Sequence, residues 1–79
     1  FVNGPTDTSP GRARLEGFET AAAASGTGGP IIEASGFTVT AGEEAWAQIE
    51  AMGPRARPDA VLAANDLLAL GVMRAAINA

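Results

Sequence analysis

Arg14, Asn65, Asp66, Phe37, Asp7 and Thr8 are residues whose types could serve ligand chemistry. An arginine offers a planar fork of donors that matches sugar hydroxyls or a carboxylate. An arginine inside a helix is also commonly solvated or paired along its own helix. Asn65 and Asp66 stand between the apolar run Val61-Leu62-Ala63-Ala64 and the residues Leu67, Leu68, Leu70 and Met73, whose spacing suits one helical face. That junction is the carboxyl end of a strand meeting the amino end of a helix, where open α/β sheets bind ligands. Helix capping alone accounts for the same pair equally well. Asp7 and Thr8 lie on the loop after the first strand, a usual place for binding groups, although a loop Asp without a partner also serves simply as a turn former. Phe37, flanked by Gly36, suits either stacking on the apolar face of a sugar or base, or plugging the end of a sheet.

The absences are as informative. The chain has no cysteine and no histidine, so disulfides, thiolate chemistry, common zinc sites, Ser/His and Cys/His nucleophile pairs and an imidazole pH switch are all removed. No enzymatic activity, metal or cofactor is expected. Five basic residues, all arginines spread along the chain, stand against nine acidic ones for a net charge of −4, which argues against nucleic-acid binding by this segment. No apolar run approaches the roughly 20 residues that cross a bilayer, so no membrane partner is expected. The run Ser25-Gly26-Thr27-Gly28-Gly29-Pro30 does not fit a phosphate loop, because it follows a helix and precedes a strand. It reads as a helix stop.

Several elements must position these residues. Phe1-Val2-Asn3 reads as the end of a strand and Gly4 to Thr8 as the loop leaving it. Ser9 then suits a helix N-cap and Pro10 the first helical position, with Leu15, Phe18, Ala21 and Ala22 on one face. Ile31 to Ala34 is a second short strand. Thr40-Ala41-Gly42-Glu43 fits a capping box, after which Trp46, Ile49 and Met52 form the core face of a helix ended by Gly53-Pro54. Ala60 to Ala64 is the third strand, and the last helix runs from about Asp66 to the end. Strands alternating with helices imply right-handed crossovers. The expected fold is therefore α/β: a three-layer sandwich, βαβαβα, whose parallel sheet of about three strands has order 2-1-3 and helices on both faces. In that order the ends of strands one and three meet at a switch point, so Asn3 to Thr8 and Asn65-Asp66 would line one crevice. Three strands are thin for a sheet covered on both faces, and the start at Phe1 falls inside a strand; both features suggest a fragment.

Two blocks carry a resemblance. Asn3-Gly4-Pro5 with Arg12-Ala13-Arg14-Leu15-Glu16-Gly17-Phe18-Glu19-Thr20-Ala21, and Arg57 to Ala75 with its Asn65-Asp66-x-x-Ala-x-Gly core, resemble the effector-binding domain of lactose/galactose-repressor (LacI/GalR) type transcriptional regulators. Phe37-Thr38-Val39-Thr40-Ala41-Gly42 is similar to the family's segment between them, so the match runs over nearly the whole chain. The resemblance implies a type I periplasmic-binding-protein-like fold in which two α/β subdomains close on a small ligand. Residues 1–79 would be one partial domain, most of the carboxyl-terminal subdomain, with the DNA-binding headpiece, hinge helix and other subdomain outside it. By position, Arg14 and Asn65 match effector-contacting residues, Phe37 an aromatic packed on the ligand, and Thr8 a polar loop contact beside Asp7. Pro10 departs from the hydroxyl residue many members carry there. The family dimerises partly through the helix holding Leu70, Met73 and Arg74 and through the segment containing Val39 and Ala41.

The resulting expectation is a cytoplasmic, homodimeric sensor of a sugar or similar polar metabolite that reaches operator DNA only through a headpiece outside this chain. A sugar-binding protein of an ABC-type transporter shares the fold and is the alternative. An enzyme on a nucleotide-binding sheet is the weakest reading, since no phosphate loop, metal cluster or general-base histidine is present.

Overall fold

A computed structural model describes all residues from Phe1 to Ala79. Strand β1 covers Val2–Asn3, helix α1 Ser9–Ser25, strand β2 Ile32–Glu33, helix α2 Val39–Ala51 and helix α3 Asp66–Ile77. β1 and β2 pair in parallel, Val2 opposite Ile32 and Asn3 opposite Glu33, with α1 as the crossover. The protein is thus α/β, with three helices and a short two-stranded parallel sheet.

The third strand expected over Ala60 to Ala64 is reduced to one isolated parallel bridge between Val2 and Ala63. Its two hydrogen bonds are formed, Val2 N–H donating to Leu62 at 2.8 Å and Ala64 N–H donating to Val2 at 2.9 Å. The segment goes no further along β1, because Ala64 leads straight into the cap of α3 at Asn65. A strand with one neighbour and a turn at its end has little to extend it.

Side chains leave a strand on alternate faces, and the first three residues show both. Phe1 stacks on Phe18 of α1 with ring centroids 4.5 Å apart. Asn3 donates from Nδ2 to the Gly11 carbonyl of α1 at 2.8 Å. Val2, between them, is buried in an apolar core with Ile32, Ala34, Ala41, Ala45, Ile49, Leu68 and Val72, drawn from β2 and the residue after it, α2 and α3. Trp46 and Met52 pack against this core as their spacing indicates. On α1, by contrast, Leu15, Phe18 and Ala22 are only half-buried and Ala21 is exposed, because the sheet beneath is too narrow to cover the helix.

The caps differ from the expected positions. Thr8, not Ser9, caps α1, its hydroxyl accepting from Gly11 N–H at 3.1 Å. Thr38, not Thr40, caps α2, accepting from Ala41 N–H at 3.0 Å. In both cases the hydroxyl that bonds is the one on extended backbone, at φ −103° for Thr8 and −125° for Thr38. The capping-box pattern at Thr40 required a glutamate three residues on and so passed over Thr38, which caps without one. The glycine run does stop α1, with Gly26 in the left-handed region at φ 69°.

α2 and α3 meet backbone to backbone. A Cβ on Gly71 would fall 2.0 Å from the Val39 carbonyl oxygen, and one on Gly42 would fall 2.4 Å from that of Leu68. Neither obstacle is a flexible side chain, so the helices must part to admit a methyl group. Gly71→Ala is therefore expected to destabilise by about 1–3 kcal/mol, whereas Gly17→Ala, with open space around the same methyl on α1, should stabilise by up to about 1 kcal/mol. Paired urea denaturation curves check both signs.

Candidate functional site

Because the strands are parallel, the loops after β1, β2 and the Ala63 bridge leave from one end of the sheet and each enters a helix. That carboxyl end therefore gathers Gly4 to Thr8, Ser35 to Thr38 and Ala64-Asn65. Three helix amino termini face it, each capped by a side chain from its own loop: Thr8, Thr38 and Asn65.

Arg14 and Phe37, brought from distant parts of the sequence, meet here. The Arg14 guanidinium carbon lies 5.3 Å from the centroid of the Phe37 ring, within the range of a cation–π contact. The ring in turn lies on Gly4, so closely that a Cβ there would be 2.3 Å from its Cζ. Only glycine admits the ring at that distance. Phe37 thus plugs the sheet end through one part of its ring and carries the arginine on its face. Arg14 itself is exposed and is paired with no carboxylate, so its donors remain open to a ligand. It also borders a groove of about 340 Å³ with Phe1, Phe18, Leu62, Ala63 and Ala64 among its other walls.

The remaining residues fall into different roles. Asn65 is half-buried and caps α3, its Oδ1 accepting from Leu68 N–H at 2.9 Å. Its amide nitrogen remains available as a donor next to the groove wall at Ala64. Thr8 is engaged twice, donating its hydroxyl proton to the Pro5 carbonyl at 2.6 Å and accepting from Gly11 N–H. Asp7 is exposed on the loop between them. No hydrogen bond joins Asn65, Asp7 or Thr8 to Arg14. Next to them, Thr6 donates to Glu33 at 2.8 Å and ties the β1 loop to β2. The contribution of Gly4 was missed by the sequence reading, since the Asn-Gly-Pro run shows a turn and carries no sign of a ring packed upon it.

A larger groove of about 510 Å³ adjoins the one beside Arg14, sharing Phe1, Phe18 and Leu62, and runs between Gly28 to Pro30 and Pro58 to Leu62. These are the segments that enter the sheet, and Asp59 is its one charged wall residue. The carboxyl end, with its capped helices and open guanidinium, is the better ligand site, and the smaller groove reaches it only at Arg14 and Ala64.

Of the expected dimer residues, Leu70, Met73 and Arg74 are exposed along α3, with Leu67 and Ile77 extending the same apolar surface. Ala41 is corrected: it is 1% exposed and packed in the core, so it presents no surface. Val39 is half-buried, its carbonyl against Gly71.

A family model for the periplasmic binding protein-like domain matches residues 1–79, and the chain belongs to that family. No curated protein and no solved structure matches it. No helix is long and apolar enough to cross a membrane.

The two atoms of the Asn65 amide can be separated by substitution. Asn65→Ala is expected to cost about 1 kcal/mol through the lost cap, whereas Asn65→Asp keeps the acceptor and should stay within about 0.5 kcal/mol of the wild type. Thermal denaturation of both variants measures this.

Proposed function

We propose that this chain is the effector-sensing and dimerising part of a lactose/galactose-repressor-type transcriptional regulator, forming part of the carboxyl-terminal subdomain of its effector-binding domain. The ligand is a sugar or a similar small polar metabolite. The observation that carries this reading is the open Arg14 guanidinium, held over Phe37 at the carboxyl end of a parallel sheet in a periplasmic-binding-protein-like domain. A guanidinium on an aromatic face keeps its in-plane donors directed outward, where hydroxyl or carboxylate oxygens can receive them. Asn65 adds a neutral donor nearby.

In this reading a second subdomain closes over the ligand, and closure shifts a homodimer between DNA-binding states through a headpiece outside these residues. The third β-segment, with its outer edge unpaired here, would gain its partner in the complete domain and extend the sheet to order 2-1-3. Leu70, Met73 and Arg74 would lie at the dimer face. The exposed row Leu67, Leu70, Met73 and Ile77 supports a self-associating regulator over the alternative, the sugar-binding protein of an ABC-type transporter. The regulator would act in the cytoplasm. A Ser/His or Cys/His nucleophilic mechanism has no residues to carry it, as the chain contains neither histidine nor cysteine.

The gene sequence upstream separates the two binding readings: a helix-turn-helix supports the regulator, a signal peptide the transport receptor. In the intact protein, Arg14→Ala should weaken effector binding by about 10- to 100-fold, the loss of a charge-assisted hydrogen bond of roughly 1.5–3 kcal/mol. Titration calorimetry reads this directly, and unchanged affinity would overturn the role given to Arg14.

A further inference from the structure

We propose that Asn3 is the positioning residue for Arg14: its buried amide fixes the orientation of α1, and with it the guanidinium over Phe37. This rests on the ligand-binding role proposed for Arg14 and adds to it the group that holds that arginine in place.

Asn3 is the one polar side chain buried with the core, at 1% exposed. Its Nδ2 donates to the Gly11 carbonyl at 2.8 Å, while its Oδ1 is buried with no partner. An amide retained at such a position does not recover the desolvation of its oxygen, so stability alone does not explain it. A hydrocarbon of the same size would fill the space without an orphaned acceptor. What the amide supplies is a directional bond to one helix carbonyl.

That bond is one of two attachments of the first turn of α1. The other is Thr8, whose hydroxyl joins Pro5 to the helix start. The Thr8 attachment locates the start of the helix and the Phe1–Phe18 stack steadies it further along; the Asn3 bond sets the rotation of the first turn, from which Arg14 emerges. Gly11 tightens the constraint, since a Cβ there would fall 1.8 Å from the Pro5 carbonyl oxygen. The helix therefore rests directly on the β1 loop at the residue Asn3 holds. Arg14 follows Gly11 by three positions, roughly one turn, and so emerges on nearly the same side of α1. The contacts then close into a ring: Asn3 to Gly11, one turn to Arg14, Arg14 to Phe37, and Phe37 to Gly4 beside Asn3.

Asn3→Leu in the intact protein tests this, with two readouts. The first is the Arg14 Nε–H resonance, which the ring current of Phe37, 5.3 Å from the guanidinium carbon, should displace in the wild type. It should lose that displacement in the variant, while the indole N–H resonance of Trp46, the sole tryptophan, on α2 across the sheet, stays where it was. The second is binding of ribose, glucose or galactose, whichever raises the wild-type thermal midpoint. Affinity should fall about tenfold, and the Asn3→Leu/Arg14→Ala double variant should bind no more weakly than Arg14→Ala alone, as coupled residues do. An unmoved Arg14 resonance, or effects of the two substitutions that simply add, would overturn the proposal. If none of the three sugars binds, the proposed sugar specificity fails while the resonance still decides the role of Asn3. Should Asn3→Leu not fold, Asn3→Ser, whose hydroxyl is too short to reach the Gly11 carbonyl, is read in the same way.

Discussion

Backbone hydrogen bonds to the first three residues hold the architecture together. Ile32 and Ala34 donate to Phe1 and Asn3 on one side, while Val2 exchanges bonds with Leu62 and Ala64 on the other. β1, only two residues long, therefore pairs with β2 on one side and meets the isolated Ala63 bridge on the other. It also sends side chains to both layers, Val2 into the core and Phe1 and Asn3 toward α1. A strand so short contributes few ladder bonds, so its placement depends on those side chains. Val2 is 1% exposed, and substitution there would disturb the core and the sheet together.

The two sides of the sheet are built on different principles. On one side α2 and α3 press together at Gly42 and Gly71, where absent side chains let backbones touch and small alanines fill the remainder. Glycine within a helix costs about 1 kcal/mol relative to alanine, a cost offset here by close packing against Val39 and Leu68. On the other side α1 is held by polar attachments, through Asn3 and Thr8, and by the stacked pair Phe1 and Phe18. One side of the protein is thus a dry core. The other is a helix held at its first turn with a partly open groove beneath, which suits a face that receives a ligand.

The site follows from the same division. Gly4 admits the Phe37 ring because it carries no side chain, and the ring then supports Arg14. None of these three residues is adjacent in sequence to another, and their meeting depends on β1 and β2 being parallel neighbours. The helix caps complete the arrangement, since Thr8, Thr38 and Asn65 satisfy amides at the end where a ligand would approach. The membership of the periplasmic binding protein-like family accords with this geometry.

The sequence by itself determined the order of the first two strands and the three helices, the α/β class, the parallel pairing of those strands, the core role of Ile49 and the helix stop at Gly26. These follow from local pattern: apolar spacing, glycine and proline punctuation, and strand–helix alternation. It also singled out Arg14, Phe37 and Asn65, though without distinguishing cap from ligand contact at Asn65 or ring plug from stacking surface at Phe37. Only the tertiary structure showed the Asn65 side chain capping α3 and the Phe37 ring lying on Gly4, along with the caps at Thr8 and Thr38, the shrinkage of the third strand to one bridge, and the burial of Ala41. The reason is that each depends on a neighbour remote in sequence or on a backbone angle. A hydroxyl caps only when its own backbone is extended, a strand lengthens only where a second strand lies beside it, and Gly4 matters only because Phe37 arrives above it.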